Sequence, residues 1–248
     1  MNRTQHSHPR QSFLEWYSLS TLGQILQTVE ASYLQTALKL TYNQKTLQVG
    51  PLGSESVYIG EAFARNLILI DSEADSRVWR SSWVRALPTE LPIPSASIET
   101  VILPHVLEFE TRRQEILAEV SRILKPEGKL FVLVLNPWSV QGAFQYLPQY
   151  ASSFWRGHFL GCQKLMDWLI PLKFDAEFHA GFNLSTSRYI LQPRNLVERS
   201  QAQLSFAYAI KAIKRDYTLI PIEPVWLGAR NMAAGHVFGT TQRVSDSD

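Results

Sequence analysis

Two glycines and an aspartate in the first half of the chain have the residue types of a ligand-binding turn and its acceptor. Gly50 and Gly53 follow an apolar run, with Pro51 between them, so the chain must turn sharply there. Asp71 ends a second apolar run, about 20 positions beyond Gly50. Glycine permits close backbone approach to a ligand, and a carboxylate accepts hydrogen bonds from two donors. The pattern predicts a ligand site, with a structural turn and a helix N-cap as the alternatives.

Histidine is the side chain best suited to proton transfer near neutral pH. His105 follows an apolar run and Pro104, so it could act as a general base on a substrate hydroxyl; polar packing is the alternative. His158 and His179 have no partners at metal-ligand spacing. Cys162 is the only cysteine, which excludes an intrachain disulfide and a cysteine metal cluster. We therefore expect no metal.

The elements that would position these residues alternate between strand and helix. A helix is predicted over 112–124, where Thr111 and Gln114 form a capping box before an apolar helical face. This alternation predicts right-handed crossovers and a parallel sheet. Strands are predicted at 46–49, 67–70, 79–84, 98–103, 129–135 and 204–213, an extended segment at 174–182, and shorter helices at 139–146 and 162–170.

Composition places the chain among globular proteins, with 45% apolar and 19% charged residues. A net charge of +2, without a basic stripe, does not indicate a nucleic-acid partner. The longest apolar run is far shorter than the roughly 20 residues of a membrane-spanning helix. The first ten residues are polar and lack the apolar stretch of a secretory signal. We expect a cytoplasmic protein without a membrane span.

The expected organisation is a single domain with a tail at each end. Residues 1–11 are predicted to be a flexible N-terminal tail, and residues 12–215 the domain. Within it, 12–42 should form N-terminal helices and 137–170 a cover over the substrate. Residues 216–248 are predicted to be a C-terminal extension and tail.

Four stretches together carry a resemblance to a known family. They are LQVGPLG (47–53), LILID (67–71), RALPTELPIPSASIETVILPHVLEF (85–109) and ILAEVSRILKPEGKLFVLVLN (116–136). Their order resembles the class I S-adenosylmethionine-dependent methyltransferases, of the methyltransferase type 11-like kind with a ubiquinone-biosynthesis-like core. NPWSVQG (136–142) and residues 165–182 resemble a small bacterial branch of such proteins with a degenerate glycine-rich motif.

The resemblance implies a Rossmann-like, doubly wound α/β fold. Its sheet would have seven mostly parallel strands with the last one antiparallel, helices on both faces and an N-terminal helical extension. Ligands of such sheets bind at the carboxyl ends of the strands. The implied cofactor is S-adenosylmethionine, and the implied partner is a small-molecule acceptor.

The resemblance also implies roles for individual residues. The turn at Gly50, Pro51 and Gly53 would approach the methionine part of the cofactor, and Asp71 would accept hydrogen bonds from its ribose hydroxyls. Ala86 and Leu87, in a loop that continues to Pro88, would lie beside the adenine. Pro104 and His105 would lie below the methyl group. Asn136 and Trp138 would lie on the substrate side.

The sequence departs from the family pattern mainly in the glycine turn. Gln48 stands where an acidic residue is usual, and Leu52 and Ser54 stand where glycines are usual. Leu87 stands where an acidic residue often binds the adenine amino group. These departures motivate an alternative hypothesis, a catalytically inactive scaffold that binds a partner.

The first hypothesis is methyl transfer to a small or lipid-like acceptor. In-line displacement depends on alignment of the reactants, so it requires no fixed catalytic motif. A third interpretation is a nicotinamide-dependent oxidoreductase, since the position of Asp71 also suits that cofactor. Its Gly-x-Gly-x-x-Gly pattern fails, however, at Leu52 and Glu55.

Overall fold

The computed structural model describes residues 9–38, 44–53, 55–59, 66–72, 82–143, 159–193 and 195–215. They belong to one compact unit, Met1–Asp216. Several predictions lie outside the described residues: most of the N-terminal tail, His158, the middle of the substrate cover and the extension over 216–248. In the described part of the chain, no helix is both long enough and apolar enough to cross a bilayer.

The described strands form one sheet with the order β3-β2-β1-β4-β5-β8-β6-β7. Strands β1 to β5 are parallel to one another, and β8 runs antiparallel to both β5 and β6. The strands are β1 Thr46–Val49, β2 Leu67–Asp71, β3 Ser82–Arg85, β4 Ile98–Pro104, β5 Leu124–Leu135, β6 Phe174–Asn183, β7 Arg188–Leu191 and β8 Ala207–Lys214.

The Rossmann-like class and the antiparallel last strand are confirmed, but the predicted count of seven strands is wrong because β7 is an eighth. This short strand returns from β6 as an antiparallel hairpin at the edge of the sheet. The strand has only four residues and none of its side chains is fully buried, so the short apolar run at 189–191 does not by itself indicate a strand.

Seven α-helices are described: α1 Pro9–Leu19, α2 Thr21–Leu38, α3 Glu55–Tyr58, α4 Arg113–Ile123, α5 Val140–Ala143, α6 Cys162–Leu169 and α7 Leu196–Gln203; a 3-10 turn, Ile170–Leu172, follows α6. The helix predicted over 112–124 is confirmed as α4, although the predicted capping box does not form: the N-cap is Arg112 and makes no side-chain cap hydrogen bond. The first helix begins at Pro9, inside the segment expected to be a tail, since proline suits a first helical turn.

The helices cover both faces of the sheet, as expected. In β5, Leu130, Val132 and Val134 join the core that includes α4 and α6. The alternate residues Phe131, Leu133 and Leu135 join the core that includes α1 and α2. Because both sets are buried, residues 130–135 of β5 form a continuous apolar run, which is typical of a parallel strand covered on both sides.

The chain changes direction in the sheet at β1. Strand β2 lies on one side of β1 and β4 on the other, so the connections that leave β1 and β4 diverge. At the carboxyl end of β1 the Gly50 amide donates to the Ile70 carbonyl over 2.8 Å, and the Ala86 amide donates to the Asp71 carbonyl over 3.2 Å. These bonds bring the ends of β1, β2 and β3 together at one edge.

Candidate functional site

A cleft of ≈ 250 Å³ lies at the carboxyl ends of β1 and β2. The glycine turn and Asp71 both contribute to it, because Val49 of β1 pairs with Ile70 of β2 in parallel register. Its other described walls come from α1 and from the segments after β3 and β4. The lining residues are Pro9, Arg10, Gln11, Leu14, Val49, Gly50, Ile70, Asp71, Ser72, Pro88, Val106, Phe109 and Glu110.

The backbone of the turn requires glycine at two positions. Gly50 has φ 78° and Gly53 has φ 85°, a region that residues with a Cβ rarely adopt. A Cβ on Gly50 would also lie 2.5 Å from Val106 Cγ2 and 2.7 Å from Arg10 Nη2, whereas a Cβ on Gly53 would meet nothing within 4 Å. Gly50 therefore permits both the turn and the close approach of the neighbouring side chains.

A carboxylate inside the protein satisfies the amides of the turn. Glu55, at the start of α3, is buried, and its Oε1 accepts from the amides of Leu52 over 2.6 Å and Gly53 over 3.2 Å. The same oxygen accepts from Gln48 Nε2 over 2.9 Å, and Tyr58 donates to Gln48 Oε1 over 2.6 Å. The position where the family usually has an acid is thus part of a closed polar network.

Leu52, expected to obstruct the approach to a ligand, turns away from the cleft. Its side chain is 7% exposed and belongs to the core shared by α1 and α2. The departure from the glycine pattern at this position therefore serves packing and leaves the lining of the cleft unchanged.

Arg10 of α1 enters the cleft and connects the two predicted halves of the site. Its Nη2 donates to the Pro51 carbonyl over 2.9 Å, and its Nη1 lies 3.8 Å from Asp71 Oδ2. The two charged side chains are only 19% and 15% exposed. The sequence analysis missed this residue because it assigned Arg10 to a tail.

The remaining predicted cofactor residues are less closely grouped. Ala86 and Leu87 follow β3, but the Leu87 side chain is 53% exposed, and it is Pro88 that lines the cleft. Pro104 is buried as the last residue of β4. The structure brings Gly50 and Asp71 together in the cleft, with the Pro51 carbonyl facing Arg10.

The structure does not support His105 as a general base. Its ring is completely buried, with Nε2 2.9 Å from Glu30 Oε1 and Nδ1 2.9 Å from Glu108 Oε1. Tyr17 donates to Glu30 Oε2, and the Leu135 amide donates to Glu108 Oε1. Burial lowers the pKa of His105, but the two carboxylates raise it to about 10. An imidazolium shielded from solvent cannot take a proton from a substrate at neutral pH.

Asn136 and Trp138 line a second cavity of ≈ 1140 Å³, beside α6, α7 and strands β6 and β8. Asn136 itself ties the chain together: its Nδ2 donates to the carbonyls of Gln203 and Ser205 over 2.7 and 2.8 Å. Trp138 is 76% exposed, and apolar side chains such as Phe178 line the cavity with it. The cavity is thus a mostly apolar space on the side predicted for substrate.

Two of the missed residues left signals in the sequence. Glu30 lies four positions after Leu26 and three before Tyr33, both apolar residues of α2. This spacing places the Glu30 carboxylate on the buried face of the helix. Glu55 stands in the first turn of α3, where a carboxylate is favourable. No described cluster of three or more histidine, cysteine or acidic residues has the arrangement of a metal site.

The residues of the cleft suit an S-adenosyl ligand in their chemistry. Asp71 offers a carboxylate to ribose hydroxyls, Pro88 and Val106 offer apolar surface to a base, and Arg10 offers a cation to a carboxylate. The described amides of the turn do not contribute, because each has an acceptor within the protein. The strand order and the cleft at the carboxyl ends of the strands place this fold in the class of Rossmann-like α/β proteins.

A comparison with protein families agrees with this class. Residues 47–132 match the family model described as a methyltransferase domain. The match covers most of β1, all of β2 to β4, α4 and most of β5, which include the glycine turn and Asp71 but not the wall that α1 forms. Over these residues the match confirms the resemblance to the methyltransferase-domain family.

Individual proteins are similar to this chain at lower identity. Uncharacterized protein YafS of Escherichia coli (strain K12) is 28% identical over 113 residues, which are 45% of this chain and 44% of YafS, less than half the length of that protein. A solved SAM-dependent methyltransferase, described as a possible histamine N-methyltransferase, from Thermotoga maritima has a TM-score of 0.59 at 16% identity over 84% of this chain and 100% of its own. A SAM dependent methyltransferase from Archaeoglobus fulgidus has a TM-score of 0.53 at 17% identity, over 75% of this chain and 93% of its own. At these identities the two structures show the fold.

Proposed function

We propose that the cleft binds S-adenosylmethionine and that the protein transfers its methyl group to a small or lipid-like acceptor. The observation that carries this proposal is the convergence of Gly50 and Asp71 on one cleft at the sheet edge where ligands of such folds bind. The methyltransferase-family match over the same elements supports it.

Each group of residues has a task in this proposal. Asp71 accepts hydrogen bonds from the ribose hydroxyls, while Leu14, Val106 and Phe109 exclude water from the bound nucleoside. The cofactor supplies an activated methyl group on a sulfonium. The protein contributes mainly alignment, since holding an acceptor in line with a methyl carbon supplies much of the acceleration.

The second cavity is the proposed place for the acceptor. It begins at Asn136, directly after β5, and β5 pairs with β4, the strand that leads into the walls of the cleft. Its mostly apolar lining includes Met166, Phe178 and Tyr208. Such a surface suits an acceptor with an apolar body, in agreement with the expected small or lipid-like class.

Thermal shift and calorimetry with S-adenosylmethionine and S-adenosylhomocysteine test the cofactor. A ligand that binds only the folded protein raises the melting temperature. Asp71→Asn keeps the size of the side chain but removes the charged acceptor, and we expect its affinity to fall about 10- to 100-fold, since a hydrogen bond to a charged group contributes about 1.5–3 kcal/mol. Asp175→Asn, on the exposed start of β6, is the matched control and should bind as the wild type does.

A partner-binding scaffold is the second candidate. The observation that favours it is the closed state of the turn: Glu55 holds its amides and Arg10 lies within the cleft. It predicts no affinity for either S-adenosyl compound in wild type or Asp71→Asn. A rise in melting temperature of the wild type with millimolar S-adenosylhomocysteine would exclude it.

A further inference from the structure

The guanidinium of Arg10 lies in the cleft between the glycine turn and Asp71. It contacts the Pro51 carbonyl at 2.9 Å on one side and approaches Asp71 Oδ2 to 3.8 Å on the other. The space that remains, ≈ 250 Å³, is smaller than the roughly 300–1,000 Å³ typical of ligand pockets. A ligand that reaches Asp71 must therefore meet Arg10.

Among the described groups that line the cleft, one offers a positive charge to an anionic group of a ligand. The amides of Leu52 and Gly53 donate to Glu55, and the amide of Gly50 donates to the Ile70 carbonyl. Pro51 has no amide hydrogen. Arg10 is the only cation among the described residues that line the cleft. An anion at the turn would thus have to bind to this side chain.

The geometry of the Arg10–Asp71 pair is suited to exchange. Its 3.8 Å separation is longer than the roughly 2.7–2.9 Å of a charge-assisted hydrogen bond, so the two groups attract each other without close contact. Arg10 stands in the first turn of α1, whose later residues Phe13 and Tyr17 are buried and anchor the helix. The guanidinium can therefore change partners while the helix stays packed.

We propose that Arg10 binds the carboxylate of the amino-acid part of an S-adenosyl ligand and releases Asp71 to the ribose. This inference rests on the proposed cofactor. In the protein alone, Arg10 neutralises Asp71; in the complex, hydroxyl groups take Asp71 and the ligand carboxylate takes the planar guanidinium, which suits a two-point contact. Gly50 is needed because a Cβ there would lie 2.7 Å from Nη2.

Two ligands that differ in this carboxylate test the assignment by calorimetry. S-adenosylhomocysteine carries the amino-acid part, and 5′-methylthioadenosine lacks it. In Arg10→Met, which keeps length but not charge, we expect S-adenosylhomocysteine to bind about 10- to 100-fold more weakly, the equivalent of one hydrogen bond to a charged group. Binding of 5′-methylthioadenosine should be unchanged or tighter. Arg10→Lys should recover part of the loss.

Arg112→Met is the control, because that arginine is half exposed and pairs with Glu115 outside the cleft. It should bind both ligands as the wild type does.

Equally weakened binding of both ligands in Arg10→Met would overturn the proposal, because it would assign Arg10 a structural role. Tighter binding of both ligands to Arg10→Met would also overturn it, because the Arg10 side chain would then obstruct the cleft. If wild type binds 5′-methylthioadenosine but does not prefer S-adenosylhomocysteine, the Arg10 proposal fails while the nucleoside site stands. Binding of neither ligand by wild type removes the cofactor proposal and this one together.

Discussion

Replacing Glu30 with glutamine should strongly destabilise the protein, because it removes one charge from a buried cluster. In the native state Glu30 faces Nε2 of His105 at 2.9 Å and accepts from Tyr17. Removing one partner of a buried ion pair costs about 3–5 kcal/mol. The glutamine oxygen can still accept from Tyr17, so we expect the lower end, a loss of about 3 kcal/mol in the free energy of unfolding.

The Glu30→Gln substitution should also change how the free energy of unfolding depends on pH. The pKa of His105 is about 10 in the folded protein, against an ordinary value near 6.5 in the unfolded chain. Between these values the folded state holds a proton that the unfolded state has lost. The stabilisation is complete below about pH 6.5 and is lost as the pH rises through 10, at up to about 1.4 kcal/mol per pH unit. Without the Glu30 charge this slope should flatten.

Urea unfolding followed by tryptophan fluorescence at pH 6.5, 8 and 9.5 measures both effects, since the chain has seven tryptophans. Glu115→Gln is the control: its exposed pair with Arg112 should contribute less than about 1 kcal/mol. A free energy of unfolding of Glu30→Gln within 1 kcal/mol of the wild-type value, with the wild-type pH slope, would contradict the charged state of this cluster. That result would mean that His105 is neutral in the folded protein.

Substitutions at three positions test the turn, each by urea unfolding. Gly50→Ala should lose about 2–4 kcal/mol from left-handed strain and overlap with Val106, whereas Gly53→Ala, with open space around it, should lose only about 1–2; equal losses would contradict the packing argument. Glu55→Ala should lose about 2–5 kcal/mol because it leaves the amides of Leu52 and Gly53 without their acceptor. Glu55→Gln keeps an oxygen there and should lose no more than about half as much.

Much of the scaffold was predictable because its signals are local. The apolar run of β5 and the helical period of α4 are encoded in consecutive residues, and the glycine turn follows β1 directly. The resemblance implied that the turn and Asp71 serve one ligand, and the two do end neighbouring strands. The hairpin strand β7 has no such pattern, because edge strands are only half-buried.

The order of most strands and helices could be predicted from the sequence, since the periodicity of apolar residues is a property of short segments; β7 and α7 are exceptions. Only the tertiary structure decided which polar groups meet. Arg10 reaches a carbonyl 41 positions away, and Glu30 pairs with a histidine 75 positions away, contacts that exist only because α1 and α2 pack across the sheet. The same packing decided that Leu52 points into the core. Such contacts depend on the relative placement of whole elements, and no spacing along the chain encodes that placement.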